Sequence, residues 1–130
     1  MTGKDELIAE VERTLGPVID AIIDAVPQLR DSYVEHLREQ RGRGLAYVYL
    51  PGAVRVLNEQ LSARELSMEA IQQLCSAIER ALERENSDID ALIFLAFLEP
   101  LEGTVLFPIA RSEFGPRTRK ALLEFWGWSI

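Results

Sequence analysis

The feature that most restricts how this chain can fold is the run from Ala91 to Leu98, eight consecutive apolar residues (Ala91, Leu92, Ile93, Phe94, Leu95, Ala96, Phe97, Leu98). A helix that is apolar on every side must be packed on most sides if the chain is to stay in water. The run is too short for a membrane helix, which takes about 20 residues. It therefore predicts a central helix at about 88–99, with the remaining segments wrapped around it.

Those remaining segments also carry a helical period. Residues 2–26 keep apolar positions at Leu7, Ile8, Val11, Leu15, Val18, Ile19, Ile22, Ile23 and Val26, with Thr2 and Asp5 suited to a capping box. Pro17 removes a backbone donor, so that helix is expected either to kink or to split there. Pro27 opens a second helix, marked by Leu29, Tyr33, Val34 and Leu37 and fading into the loop Arg41, Gly42, Arg43, Gly44. The segment Leu45 to Leu50 has strand-like composition, but no second strand candidate pairs with it, and a buried connector or helix lead-in is the expectation. A short third helix follows from Pro51 to about Leu61. Ser67 is a good N-cap for the clearest amphipathic helix, with Ile71, Leu74, Cys75, Ile78 and Leu82 on its apolar face. Ser87 and Asp90 resemble a capping box for the central helix. After Pro100 a turn of helix and then an irregular segment through Val105, Leu106, Phe107 and Pro108 are expected, and Gly115 and Pro116 restart a helix. The fold class predicted is all-α: one domain over residues 1–130, a compact multi-helix bundle, compatible with a helical-repeat-like arrangement.

The chain of 130 residues has a formal charge of −7, and the charge is unevenly spread. Residues 1–40 hold four basic and nine acidic side chains, and residues 67–102 hold two and eight. Residues 41–66 and 103–130 each hold four basic and two acidic ones. This argues against general affinity for nucleic acid or anionic membrane and for attraction to a basic partner. The absence of a signal-like apolar run near Met1 and the single cysteine place the expectation in the cytoplasm. In the last helix, Arg117, Arg119 and Lys120 fall in the first turns, where the helix dipole disfavours cations. That placement calls for a partner or a neighbouring acid.

Chemistry-bearing patterns are sparse. With His36 as the lone histidine, His clusters and triads are excluded, and beside Glu35 it reads as a solvated residue on a polar face. Cys75 lies on an apolar stripe and reads as a small hydrophobe. Glu85, Asp88 and Asp90 are followed by apolar helix rather than further oxygen ligands, so no calcium loop is expected. The glycines precede no Lys-Ser/Thr pair, so no phosphate loop is expected either. No catalytic, cofactor or metal site is predicted, and the chain reads as a non-enzyme. An enzyme built on carboxylates alone would need a cleft holding a desolvated Asp or Glu. Near the C-terminal end, Trp126 and Trp128 are expected to pack on the core or to anchor a partner.

Two stretches, Ala91 to Leu101 and Phe114 to Phe125, resemble small all-helical bacterial immunity-type proteins, in which an apolar helix ending in Phe-Leu-Glu-x-Leu is followed by a Gly-Pro helix start. The resemblance spans about residues 45–126, and Pro100 departs from it. It implies neutralisation of a cognate toxin by direct binding. The expected function is thus a non-catalytic protein-binding module for a protein partner such as a basic toxin domain, with Glu79, Glu83, Glu85, Asp88, Asp90, Glu99, Glu102 and Trp128 as candidate contacts. The alternative is a structural, homo-oligomeric helical protein without a toxin partner.

Overall fold

A computed structural model describes residues 3–42 and 45–126, the side chains of residues 4, 5, 125 and 126 excepted. The Thr2 capping box and Trp128 lie outside the described residues. The fold is all-helical, as the periodicity predicts, with no strand among the described residues. We number the helices α1 (Gly3–Ala25), α2 (Arg30–Glu39), α3 (Ala46–Ser62), α4 (Met68–Leu82), α5 (87–101), α6 (Leu106–Arg111) and α7 (Pro116–Trp126), with one 3₁₀ turn at Pro27–Leu29.

The apolar run is the centre of the molecule. Ile89, Leu92, Ile93, Ala96, Phe97, Leu98 and Leu101 of α5 are all buried, and α1, α3 and α4 pack around this helix. At about 1.5–3 kcal/mol for each large apolar side chain removed from water, this helix contributes more to stability than its own propensity does. Helix α2 packs against α3, and α7 against α4, outside this centre. Within α5, residues Ile93–Leu98 take the wider π register, with the Glu99 N–H donating to the Phe94 carbonyl. Pro100 has no N–H to offer the Ala96 carbonyl and its ring crowds that oxygen, and a widened turn just before it relieves the clash.

Several segments differ from expectation. Pro17 neither ends nor divides α1, which runs through it as one helix. Helix α3 starts at Ala46 rather than Pro51, so the strand-like segment is the helix's own first turn. Its N-terminus is capped from α1: the Ala46 N–H donates to the Glu12 carboxylate at 3.2 and 3.3 Å. The stretch expected to be irregular contains α6, and there the Leu106 N–H donates to Asn58 Oδ1 on α3 at 3.0 Å. Ser67 caps α4 as predicted, accepting from the Ala70 N–H. The cap of α5 is Asn86 rather than Ser87, its Oδ1 accepting from the Asp88 and Ile89 N–H groups.

His36 is the clearest correction. It is buried, not solvated, and its Nε2 accepts a hydrogen bond from the Leu45 N–H at 3.0 Å, closing the α2–α3 loop. Its ring packs beside Tyr33 and Tyr49, at centroid distances of 6.0 and 5.3 Å, and those two rings meet edge-on at 4.9 Å. A nitrogen that accepts a hydrogen bond has no proton, so the neutral imidazole is the structural form. Burial pushes its pKa below the ordinary 6.5, with Glu39 pulling the other way. As pH falls the unfolded chain takes up this proton first, so the stability His36 contributes is complete above about pH 6.5 and is lost as pH falls towards the folded-state value. The melting temperature of the protein should therefore drop between about pH 7.5 and about pH 5.5, and drop less in His36→Gln. Equal slopes in the two proteins would show that the histidine is not the source.

Cys75 is buried on α4 with its Sγ 3.7 Å from the Ala110 carbonyl. Burial, helped by Glu113, pushes the thiol up to about 12. A thiol so placed is inert. Maleimide or disulfide reagents should label the native protein only as fast as it unfolds, and label it at once in strong denaturant; rapid native labelling would contradict the burial.

Candidate functional site

The acidic residues singled out in the sequence do not form one surface. Glu79, Glu83 and Glu85 come from the end of α4 and the turn after it, while Asp88 and Asp90 stand on the first turn of α5. Glu99 and Glu102 lie about three turns further on, at roughly 1.5 Å per residue, so they belong to the opposite end of the central helix. Glu83, Glu85, Asp88, Glu99 and Glu102 are exposed, and Asp90 is half-buried.

Glu79 is engaged inside the fold. Its Oε2 accepts from the Arg117 N–H at 2.9 Å, and its Oε1 accepts from the Thr118 N–H at 3.0 Å and the Thr118 hydroxyl at 2.9 Å. A carboxylate from α4 thus caps the first turn of α7, satisfying orphan donors and meeting the positive end of its dipole. This is the neighbouring acid that the basic start of α7 calls for. The approach requires Gly115, where an added Cβ would stand 2.5 Å from the Glu79 carboxyl. Three hydrogen bonds hold that carboxyl, so it has little freedom to retreat.

Glu85 sits at a positive φ of 53°, a left-handed conformation that costs a non-glycine residue about 1 kcal/mol. Its Oε1 meets the Arg117 guanidinium at 3.3 Å. Asp90 borders a cleft of about 160 Å³ between α5 and α7, floored by Leu82, Ile93, Phe94 and Ala121 and rimmed by Arg117, Lys120 and Glu124. Burial raises the Asp90 carboxyl above the ordinary carboxylate value; Arg117 opposes this, and Glu85 and Glu124 add to it. The sequence named the acids of this corner but missed the α7 side of the cleft, because nothing in the primary order links residues 117–124 to residues 82–94. The one available signal was the unexplained cations at the start of α7.

Within the corner, Asp88 is close enough to Tyr47 of α3 to help raise its phenol, although burial is the larger cause. No group of three or more His, Cys, Asp or Glu residues suited to a metal is present among the described residues. No described helix is long and apolar enough to cross a membrane.

Replacing Glu79 by Ala should cost about 2 kcal/mol in urea unfolding, as expected for loss of a charged multi-donor cap, with Glu79→Gln falling between. Gly115→Ala should also destabilise, through displacement of the same carboxyl. A Glu79→Ala variant as stable as the parent would mean that water replaces the cap at no cost.

No curated protein and no solved structure matches the chain. Residues 19–127 match the family described as a domain of unknown function, DUF7674, and with most of its length covered the chain belongs to that family.

Proposed function

We propose that the protein acts by binding another protein rather than by catalysis, as an immunity-type protein that holds a basic toxin domain in the cytoplasm. The observation that carries this reading is the corner between α4 and α5, where Glu83, Glu85 and Asp88 are exposed beside the half-buried Asp90. Among the described residues Arg117 is the one cation in an ion pair with this set.

The cleft beside Asp90 holds the desolvated acid that a carboxylate enzyme would need, but its size favours binding a side chain over turnover. At about 160 Å³ it is smaller than the roughly 300–1,000 Å³ of small-molecule sites. It suits one inserted side chain. The apolar floor fits the methylene stem of a lysine or arginine, whose charged head would meet Asp90 and Glu124 in competition with Arg117 and Lys120 on the rim. Exposed carboxylates around such an anchor speed encounter with a basic surface more than they add to final affinity.

The test is titration calorimetry and stopped-flow binding against the protein encoded by the neighbouring gene, with rescue of growth when that protein is expressed. Glu83→Lys with Asp88→Lys should slow association by about tenfold or more and flatten its dependence on salt. Binding undiminished by the reversal removes the electrostatic claim. A neighbouring protein that neither binds nor harms growth removes the immunity reading.

A further inference from the structure

Helix α1 extends its apolar stripe past the bundle it serves. Leu15, Val18, Ile19 and Ile22 are buried in the core, but Leu7 and Val11, on the same face two turns and one turn before Leu15, are 65% and 38% exposed. Facing them, the first turn of α3 shows Tyr47 at 42% and Val48 at 55% exposed. With Ile8, Glu12 and Leu45 these residues line an open groove of about 320 Å³. The Glu12 cap on Ala46 fixes the two walls relative to each other. The fold leaves much of these four apolar side chains uncovered, and a contiguous apolar patch of this kind marks an interaction surface.

Charge decides what covers it. Glu12 lies in the groove with its carboxyl raised by burial, and Asp88 stands near Tyr47. On the far side Val48 also borders a second cleft that contains Glu35 and Glu39, together with His36 and Arg55. Glu35 is paired with Arg38 at 2.7 Å. Asp88 on one side and Glu39, with Arg55 in the same cleft, on the other border the apolar floor, and residues 1–40, which supply α1, hold nine acidic side chains against four basic ones. Two copies laid groove to groove would set these acids against their own like, which disfavours self-association here.

We propose that the α1–α3 groove docks a basic amphipathic helix of a partner protein. Apolar side chains of that helix at i, i+3 or i+4, and i+7 rest on Leu7, Val11, Tyr47 and Val48, and its lysines and arginines reach Asp88 on one flank and Glu39 on the other. The contact is distinct from the cleft at Asp90, and it stands whether or not the α4–α5 corner binds a toxin.

The test is fluorescence anisotropy with a labelled, designed leucine–lysine amphipathic helix of about 15 residues, long enough to span the groove. The wild-type protein should bind it saturably, and salt should weaken the binding. Leu7→Asp and Val48→Asp, both at exposed positions, should keep the circular dichroism and melting of the parent but lose affinity by about tenfold or more. Glu83→Lys with Glu85→Lys should leave most of the affinity, which separates this groove from the acidic corner. Absence of saturable binding, equal binding by the Val48→Asp variant, or equal binding of a peptide with glutamate for lysine each overturns the proposal. So does a concentration-dependent dimer in light scattering that Val48→Asp abolishes, since the occupant is then a second copy. Co-sedimentation with phosphatidylcholine vesicles that Val48→Asp abolishes assigns the groove to lipid instead.

Discussion

Three helix starts in this protein are capped from a distance, and the arrangement of the bundle depends on it. Every helix begins with N–H groups that have no partner within the helix. Asn86 and Ser67 meet that need locally for α5 and α4. For α3, α6 and α7 the acceptor comes from another helix: Glu12 of α1, Asn58 of α3 and Glu79 of α4. Each such contact fixes both where a helix begins and which neighbour it begins against. Apolar packing around α5 supplies most of the driving force but is tolerant of small slides and rotations. The directional caps are not tolerant, because a hydrogen bond weakens steeply with distance and angle.

This division explains which parts of the fold were legible in the sequence. The central helix was legible, because eight apolar residues in a row admit few other fates. Helix α4 was legible because its cap, Ser67, and its stripe are adjacent in the chain. The start of α7 was also visible in Gly115 and Pro116. The starts of α3 and α6 were not, because their acceptors lie 34 and 48 residues away in sequence. His36 misled for the same reason: its burial comes from Tyr33, Tyr49 and the returning Leu45 backbone, and only Tyr33 lies within a turn of it on α2.

The candidate site shows the same limit from the side of charge. Counting acids along the chain located a negative block but could not divide it. The fold takes Glu79 for a cap, pairs Glu85 with a cation, leaves Glu83 and Asp88 to water, and carries Glu99 and Glu102 to the other end of α5. The basic residues at the positive end of α7 have partners too: Glu79 offsets the dipole there, Arg117 meets Glu85, Arg119 donates to the Phe114 carbonyl and Lys120 pairs with Glu124. Their role had been written in the sequence as an anomaly rather than as a motif.

The net charge of −7 is therefore a poor measure of the surface offered to a partner. Carboxylates that cap helices are fixed, largely satisfied and unavailable, and they confer rigidity on the walls of the α5–α7 cleft and the α1–α3 groove. Those left exposed around the walls can attract a cation without moving the fold. Asp90 stands between the two classes: burial raises its pKa, so the charged form is held less favourably than in water. Arg117 already opposes part of that shift, and a partner cation that came closer to Asp90 would oppose more of it, the free energy recovered appearing as binding. A rigid, apolar-floored cleft with an under-satisfied acid is thus better prepared to receive a positive side chain than the more numerous, fully solvated acids around it.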